Sequence, residues 1–526
     1  MTIPNDNARR LAQHTRLVEA LLHDPLALAV PPRERSLLQT AISSLVVAGG
    51  EVYKLRKPLT LDFLDFATPT QRRADCEEEL RLNRRTAPQV YIDVQPITGT
   101  LDAPRIGGDA GAAIDWALHM HRFDDTQRLD RLAERGELTA APIDALAGVI
   151  AQFHGALAPS PPAFGLPETT RHWSLGNFEV LLSGPAASTH GRRLLALQTW
   201  TEAEFTRLAP LLAARHATGF VRECHGDLHL GNIVRVDGRP VPFDCLEFNP
   251  ALRHIDVIAD LAFTFMDLQR HGLGDLAWRL VNGYAELTGD YAGLAALRFF
   301  AVYRAMVRAK VALLRAEQHD AEAWLSFERD LTLAETIAAP RSGPLHLVLA
   351  SGVSGSGKST LAQMLVESLG AVRVRSDVER KRLHGMAPHA RPAASQMAQV
   401  YAADATARTY ARLRELAATL LTAGLHTIVD AALLRRVERD ALRTLAARQG
   451  AQATLLECHA PEPVLRERVR RRLATDDDAS DADLAVLDRQ LQLREPAADD
   501  ERPCRIDTDC SLDALRIRAL RCIGIA

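Results

Sequence analysis

Gly352-Val353-Ser354-Gly355-Ser356-Gly357-Lys358-Ser359 matches the pattern G-x-x-x-x-G-K-[ST] at every fixed position. Ahead of it, His346-Leu347-Val348-Leu349-Ala350 is an apolar run of strand length, and behind it Thr360 to Leu369 carries apolar residues at helical spacing. Strand, glycine loop and helix in that order are the context in which this pattern binds phosphate. Gly355 and Gly357 let backbone N–H groups turn inward on a phosphate chain. Lys358 then reaches the β and γ oxygens, and Ser359 offers a hydroxyl to Mg²⁺. Gly352, Gly355, Ser356, Gly357, Lys358, Ser359 and Thr360 form the expected nucleotide-binding stretch, with ATP and Mg²⁺ as cofactors.

The residues that follow predict an α/β domain over 345–526, a P-loop NTPase with a parallel sheet. Asp377 follows the strand-like run Ala371 to Val374, at the carboxyl strand end where open α/β sheets bind ligands. Asp377 and Arg380 form a D-x-x-R group that resembles the acceptor site of polynucleotide-kinase-like P-loop kinases. That resemblance implies Asp377 as base and Arg380 as substrate clamp. Thr427-Ile428-Val429-Asp430 is a second buried-strand pattern, and its terminal Asp430 is a candidate Walker-B-like aspartate beside Mg²⁺. Arg466, Arg468, Arg470, Arg471 and Arg472 crowd one helix, with Arg468 and Arg472 on a shared face. Arginines of that kind are candidates to close over transferring phosphates. The acidic run Asp476-Asp477-Asp478 is expected to be an exposed loop or helix cap, not a metal site.

The loop begins only after some 350 residues, which leaves room for other lobes. With 47% hydrophobic and 25% charged residues the composition is that of a globular protein. A net charge of -3 argues against non-specific binding to nucleic acid or anionic membrane. Cys76, Cys224, Cys245, Cys458, Cys504, Cys510 and Cys522 form no C-x-x-C pair and no zinc spacing. Reduced thiols are expected. The first residues lack an apolar leader, and no stretch approaches ~18 uninterrupted apolar residues. A cytoplasmic location is the expectation. Ala338-Ala339-Pro340-Arg341-Ser342-Gly343-Pro344 has linker composition, so 339–344 is taken as the boundary between domains 1–338 and 345–526.

Within the first domain, residues 6 to 30 are expected to be helical up to Pro31-Pro32. Ser44 to Val47 and Glu51 to Leu55 read as strands turned through Ala48-Gly49-Gly50, with Val52 and Lys54 on one face. A helix over Arg72 to Arg85 carries Glu77, Glu78 and Glu79. In His225-Gly226-Asp227-Leu228-His229-Leu230-Gly231-Asn232, Asp227 and Asn232 stand five apart, the spacing of the kinase catalytic loop H-R-D-x-x-x-x-N. Asp237-Gly238 between two extended runs is a hairpin signal, and folding it back brings Asn232 toward Asp244. Two oxygen ligands would then face one Mg²⁺.

HGDLHLGNI followed by PFDCLEFNP resembles the aminoglycoside phosphotransferase branch of the protein-kinase-like fold, over about residues 30 to 335. The resemblance implies an α+β domain with an N-lobe over about 1–117 and a C-lobe over about 124–338. It makes Lys54 the strand-three lysine, with Glu78 or Glu79 as its helix partner. Trp116 to Phe123 becomes the hinge that meets adenine. Since no G-x-G-x-x-G is present, Thr40-Ala41-Ile42-Ser43-Ser44 must cover the phosphates. Asp256 and Asp260 fall where this fold can orient the catalytic loop, and solvated helix acids are the alternative. Arg304, Arg308 and Arg315, with Lys310 nearby, share a helix face. If that face lined the acceptor pocket it would favour an anionic or neutral hydroxyl compound over a polycation.

From end to end the order of domains resembles bacterial bifunctional aminoglycoside phosphotransferase/ATP-binding proteins. The expectation is a phosphotransferase with two ATP·Mg²⁺ sites acting on small hydroxylated molecules. In the first, Asp227 positions or deprotonates the acceptor, Asn232 and Asp244 hold Mg²⁺, and Lys54 orients phosphates. In the second, Lys358 and Ser359 bind nucleotide and Asp377 prepares the acceptor. A nucleotide-sensing regulatory protein, or a P-loop domain acting on nucleic-acid 5′-hydroxyls, stays open beside it. These residues do not name a protein partner.

Overall fold

The computed structural model describes residues 4–61, 64–316, 321–388, 390–391, 399–475 and 480–525. Asp476, Asp477 and Asp478 lie outside them. The chain divides into two compact units, one of residues 1–138, 152–173 and 210–264, the other of residues 139–151, 174–209 and 265–526. No helix among the described residues is long and apolar enough to cross a membrane.

The first unit is built on a six-stranded antiparallel sheet: β1 (Arg35–Gln39), β2 (Ser43–Ala48), β3 (Glu51–Arg56), β4 (Tyr91–Thr100), β5 (Ala103–Ile106) and β6 (Asp115–His121), in the order β1-β2-β3-β6-β4-β5. The Ala48-Gly49-Gly50 turn forms as expected: β2 and β3 pair from Ser43↔Arg56 to Ala48↔Glu51, and Gly49 takes φ 61°, which its missing Cβ permits. One sheet face packs on α1 (Pro4–His23) through Leu17, Leu21, Val46, Leu55 and Ile97. Helix α1 stops at His23, well short of Pro31. Pro25 ends it, because a proline cannot continue the ladder, and Asp24 turns the chain by accepting Leu26 N–H at 2.8 Å. The other face meets α2 (Pro69–Asn83), which starts on a capping box between Thr68 and Gln71. Of the expected hinge Trp116 to Phe123, Trp116–His121 lies within β6, whose backbone is taken up by ladders to β3 and β4, and Arg122 and Phe123 follow it.

Below this sheet the chain lays down β7 (Val221–Glu223), the hairpin β8 (Ile233–Val236) and β9 (Arg239–Pro242), β10 (His254–Asp256) and the start of α3 (Val257–Arg270). The Asp237-Gly238 turn is present, with both residues at positive φ, 50° and 77°.

The second unit contains α4 (Gly274–Thr288), α5 (Leu297–Ala316) and a five-stranded parallel sheet. Its strands are β11 (His346–Ser351), β12 (Val372–Arg375), β13 (Thr427–Asp430), β14 (Gln452–His459) and β15 (Cys504–Asp507), ordered β12-β13-β11-β14-β15. Every residue of β11 is buried, as a central parallel strand requires. Residues 339–345 carry neither helix nor strand. On α5, Arg304 is buried over the Tyr303 ring whereas Arg315 is exposed, so the arginines do not make a uniform basic face. The thiol expectation needs correcting. Cys504 and Cys522 are joined by a disulfide, with Cα atoms 6.1 Å apart across β15 and the C-terminal helix, while five cysteines stay free.

Candidate functional site

In the first unit the strand period puts Lys54 and Arg56 on one face of β3, and the helix period puts Asp75 and Glu79 on one face of α2. The faces meet. Lys54 Nζ donates to Glu79 Oε1 at 2.8 Å and to Asp244 Oδ1 at 2.8 Å. Glu78 turns away to Arg81 and Arg253, so of the two expected glutamates Glu79 meets the lysine. Burial opposes charge on both Lys54 and Asp244, but their mutual attraction outweighs it: the ammonium is held above its ordinary range and the Asp244 carboxyl below its own.

Arg56 was not foreseen, yet it is the largest fully buried side chain of the unit. It binds Asp75 and Glu79, and its Nη2 lies 2.5 Å from Glu247 Oε1. Burial among neighbouring carboxylates pushes Glu247 up to about 8. Its place two residues beyond Lys54 on the same strand face was legible, but its partners were not.

The residues of the His225–Asn232 stretch assemble around Asp227. Asn232 Nδ2 donates to Asp227 Oδ2 at 2.8 Å and to its carbonyl at 3.0 Å, leaving the Asn232 amide oxygen as its ligand-capable end. Phe243 N–H donates to Asn232 O at 2.9 Å, the expected approach of Asn232 to the Asp244 segment. Asp244 has φ 60°, rare for a non-glycine residue, and its own N–H donates to Tyr91 Oη at 3.1 Å. A strained aspartate held on both sides is typical of a functional position. Asn232, Asp244 and the lysine pair fit a Mg²⁺–phosphate group by their donor chemistry: two oxygen ligands and one fixed ammonium.

His225 explains the first letter of H-G-D. Its Nε2 lies 2.9 Å from Phe243 O and its Nδ1 accepts Asp227 N–H at 3.3 Å, a pattern that assigns the proton to Nε2. Burial lowers its pKa, in keeping with a neutral ring. Gly226 explains the second. At φ 84°, an added Cβ would stand 3.0 Å from Leu252 O, so no other residue fits without a shift. Asp260 holds the turn: its carboxylate accepts Gly226 N–H at 2.9 Å and His225 N–H at 3.0 Å, with His154 Nε2 at 3.1 Å. Asp256 instead pairs with Arg215 at 2.7 and 2.9 Å. His154, Cys224 and Asp260 also offer ligand atoms within 4.8 Å of one another, but the Asp260 oxygens are already engaged by these three donors.

Asp260→Asn is expected to lower stability by about 3 kcal/mol, since an amide has one acceptor oxygen for the two backbone donors. Burial would raise the Asp260 pKa, but the His154 hydrogen bond and charge outweigh it, and the folded value is depressed. A depressed carboxyl contributes stability above its unfolded pKa, ~3.9, and loses it as pH falls through the folded value. The wild type should therefore lose stability below about pH 4 more steeply than the variant in acid unfolding followed by circular dichroism.

In the second unit the glycine loop joins β11 to α6 (Lys358–Leu369), with Gly355 and Gly357 at φ 79° and 80°. A Cβ at Gly355 would meet Leu465 O at 2.6 Å, and one at Gly352 would meet Cys458 O at 2.6 Å. Ser359 and Thr360 sit in the first turn of α6. Asp430 ends β13 in register with Ala350, beside the loop. Its Oδ2 and the Ser356 Oγ are buried without a hydrogen-bond partner. An orphaned carboxylate oxygen next to the loop serine fits a Mg²⁺ ion held between Asp430 and Ser359.

Arg468, on α8 (Glu462–Thr475), reaches this loop: it donates to Gly355 O at 3.3 Å and Thr508 Oγ1 at 2.9 Å. Arg472 is turned to Ala482 O at 2.7 Å. Thr508, also unforeseen, donates to Ser356 O at 2.9 Å and ties the end of β15 to the loop. Asp377 opens α7 (Ser376–Leu383), as expected at a strand end. Arg380 on that helix is buried, lies over the Tyr401 ring and donates to Thr406 Oγ1 at 3.1 Å. Its Nε is buried without a hydrogen-bond partner.

Residues 347–497 match the AAA domain family. A solved sugar kinase from Janibacter sp. HTCC2649 is 24% identical, covering 35% of this chain and 96% of its own, with a TM-score of 0.28. A choline/ethanolamine kinase family protein from Mesorhizobium loti is 12% identical, covering 62% of this chain and 99% of its own, with a TM-score of 0.35. An uncharacterised protein of Mycobacterium tuberculosis strain H37Rv is 30% identical over 473 residues, 89% of this chain and 91% of that protein. On that match the chain belongs with it to the family that fuses an aminoglycoside-phosphotransferase-like kinase domain to a P-loop kinase-like domain.

Proposed function

We propose that the chain is an ATP- and Mg²⁺-dependent phosphotransferase with two sites, each moving a phosphoryl group onto a hydroxyl of a small molecule. The observation that carries this is the joining of Lys54, Glu79 and Asp244 by two 2.8 Å hydrogen bonds, beside Asp227 and Asn232 held 2.8 Å apart. A binding module without transfer has no use for a carboxylate placed to take an acceptor's proton. In the first site Lys54 orients phosphate, Asn232 and Asp244 are the metal ligands, and Asp227 takes the hydroxyl proton as the new P–O bond forms and a nucleoside diphosphate leaves. Mg²⁺, when bound, neutralises charge on the phosphate oxygens.

In the second site Lys358 and the loop N–H groups bind phosphate, Ser359 and Asp430 are the metal ligands, and Arg468 stands where it can meet developing charge. Asp377 is the acceptor-side base. Catalysis at both is positioning and charge stabilisation. The reading is tested with γ-labelled ATP and a mixture of hydroxylated metabolites, comparing wild type, Asp227→Ala and Lys358→Ala. Loss of a different labelled product with each variant supports two sites. A nucleotide sensor would lose product with one variant and none with the other, and if neither variant removes a product the proposal fails.

A further inference from the structure

Helix α4 lies in the same unit as the parallel sheet and closes its β12 edge. Asn282 Nδ2 donates to Ala371 O at 2.9 Å, and Arg373 N–H donates to Asn282 Oδ1 at 2.7 Å, so one side chain stands where a neighbouring strand would pair. Trp278 packs under Gly370, where an added Cβ would stand 2.6 Å from the indole nitrogen. One turn beyond Asn282, the Glu286 carboxylate is buried against the same strand. Arg373 Nε donates to its Oε1 at 2.8 Å and Arg373 Nη2 lies 2.7 Å from the same oxygen, while Arg375 Nη1 lies 3.8 Å from Oε2.

Both arginines continue into the glycine-loop site. Arg373 Nη1 donates to the carbonyl of Ser359 at 3.3 Å. Arg375 Nε lies 3.7 Å from Asp430 Oδ2, the buried oxygen without a hydrogen-bond partner. We infer that Glu286 is a positioning residue of the second site, setting through Arg373 and Arg375 the places of the metal ligands Ser359 and Asp430. The inference rests on the assignment of those ligands under Proposed function.

The physics is a competition for Arg375. With Glu286 charged, Arg375 stands between two carboxylates, its Nη1 3.8 Å from Glu286 Oε2 and its Nε 3.7 Å from Asp430 Oδ2. Remove the Glu286 charge and Arg375 is drawn onto Asp430, where attraction in a buried setting is strong. Asp430 is then neutralised and competes less well for a cation. Arg373, no longer gripped, releases the Ser359 carbonyl.

The test uses the full chain carrying Asp244→Asn to silence the first site, and titrates a fluorescent ATP analogue with and without Mg²⁺. Glu286→Gln should leave the Mg²⁺-free nucleotide affinity within about twofold and raise the half-saturating Mg²⁺ about tenfold, close to 1.4 kcal/mol. Asn282→Ala should lower the thermal midpoint without moving the Mg²⁺ requirement, which separates fold support from positioning. An unchanged Mg²⁺ requirement in Glu286→Gln overturns the inference. Should that variant not fold, Arg375→Gln takes its place: it removes the competitor and should lower the Mg²⁺ requirement, and an unchanged or higher one overturns the inference. Lys358→Ala is the control for the site itself. If it costs no nucleotide affinity, the reading of the site has failed rather than the role of Glu286.

Discussion

Asp227→Asn should cut turnover at the first site by about 10²–10⁴, the range for loss of a positioned general base, or ~3–5 kcal/mol of barrier. The substitution is nearly isosteric, so the loop should keep its shape. Gly226 and Asp260 anchor it from the other side through backbone donors that the change does not touch. The nucleotide should bind nearly as before, because Lys54 and its partners Glu79 and Asp244 lie on other elements. The expected signature is therefore a fall in kcat with KM for ATP within about threefold. It is read from initial rates on the acceptor that wild type labels. A variant that keeps more than about a tenth of wild-type turnover would remove proton transfer from Asp227 and leave it a positioning role.

The second large effect is expected at Lys358. Lys358→Ala removes the loop's mobile cation while leaving the backbone N–H cradle, whose geometry is set by Gly355 and Gly357 at positive φ. Loss of one preorganised donor to developing charge costs about 10²–10³ in rate, so the second-site product should nearly vanish. Labelling at the first site should continue at its wild-type rate. Parallel loss of both products would mean that the first site acts on the product of the second, whereas accumulation of the first-site product would mean that the second site consumes it. Full retention of the second-site product would exclude the glycine loop as a transferring site.

The glycine loop and the H-G-D stretch were legible in the sequence because each combines a local backbone demand with a chemical one. Gly226, Gly355 and Gly357 must tolerate positive φ, and Asp227, Asn232, Lys358 and Ser359 set charged and polar groups beside them. The hairpin between Asn232 and Asp244 was legible for the same reason, since Asp237-Gly238 is a turn whatever surrounds it. What stayed hidden depends on distant partners. Arg56 looked like any strand arginine until α2 and Glu247 closed around it, some 20 and 190 residues away. The choice between Glu78 and Glu79 turns on one helical step of about 100° that spacing alone does not fix. The contacts of Arg380 with Tyr401 and Thr406 are likewise invisible in the D-x-x-R motif. The end of α1 was misjudged by giving Pro31 the weight that Pro25 deserved. The disulfide between Cys504 and Cys522 has no spacing signature, for it joins a strand to the helix that packs on it.

The bond pair made by Asn282 also bears on how the second half of this protein behaves when handled alone. A bare outer strand is a template for intermolecular pairing, and soluble proteins blunt such strands or cover them. Here the cover comes from residues that precede the glycine loop by some 70 positions. Expressed as residues 345–526, the P-loop half would present Val372–Arg375 uncovered, with Gly370 stripped of its indole. It should form high-mass species in size-exclusion chromatography, and adding residues 265–338 back to the fragment should restore a monodisperse peak. The parallel sheet then owes the cover of its outer strand to residues that lie ahead of the glycine loop.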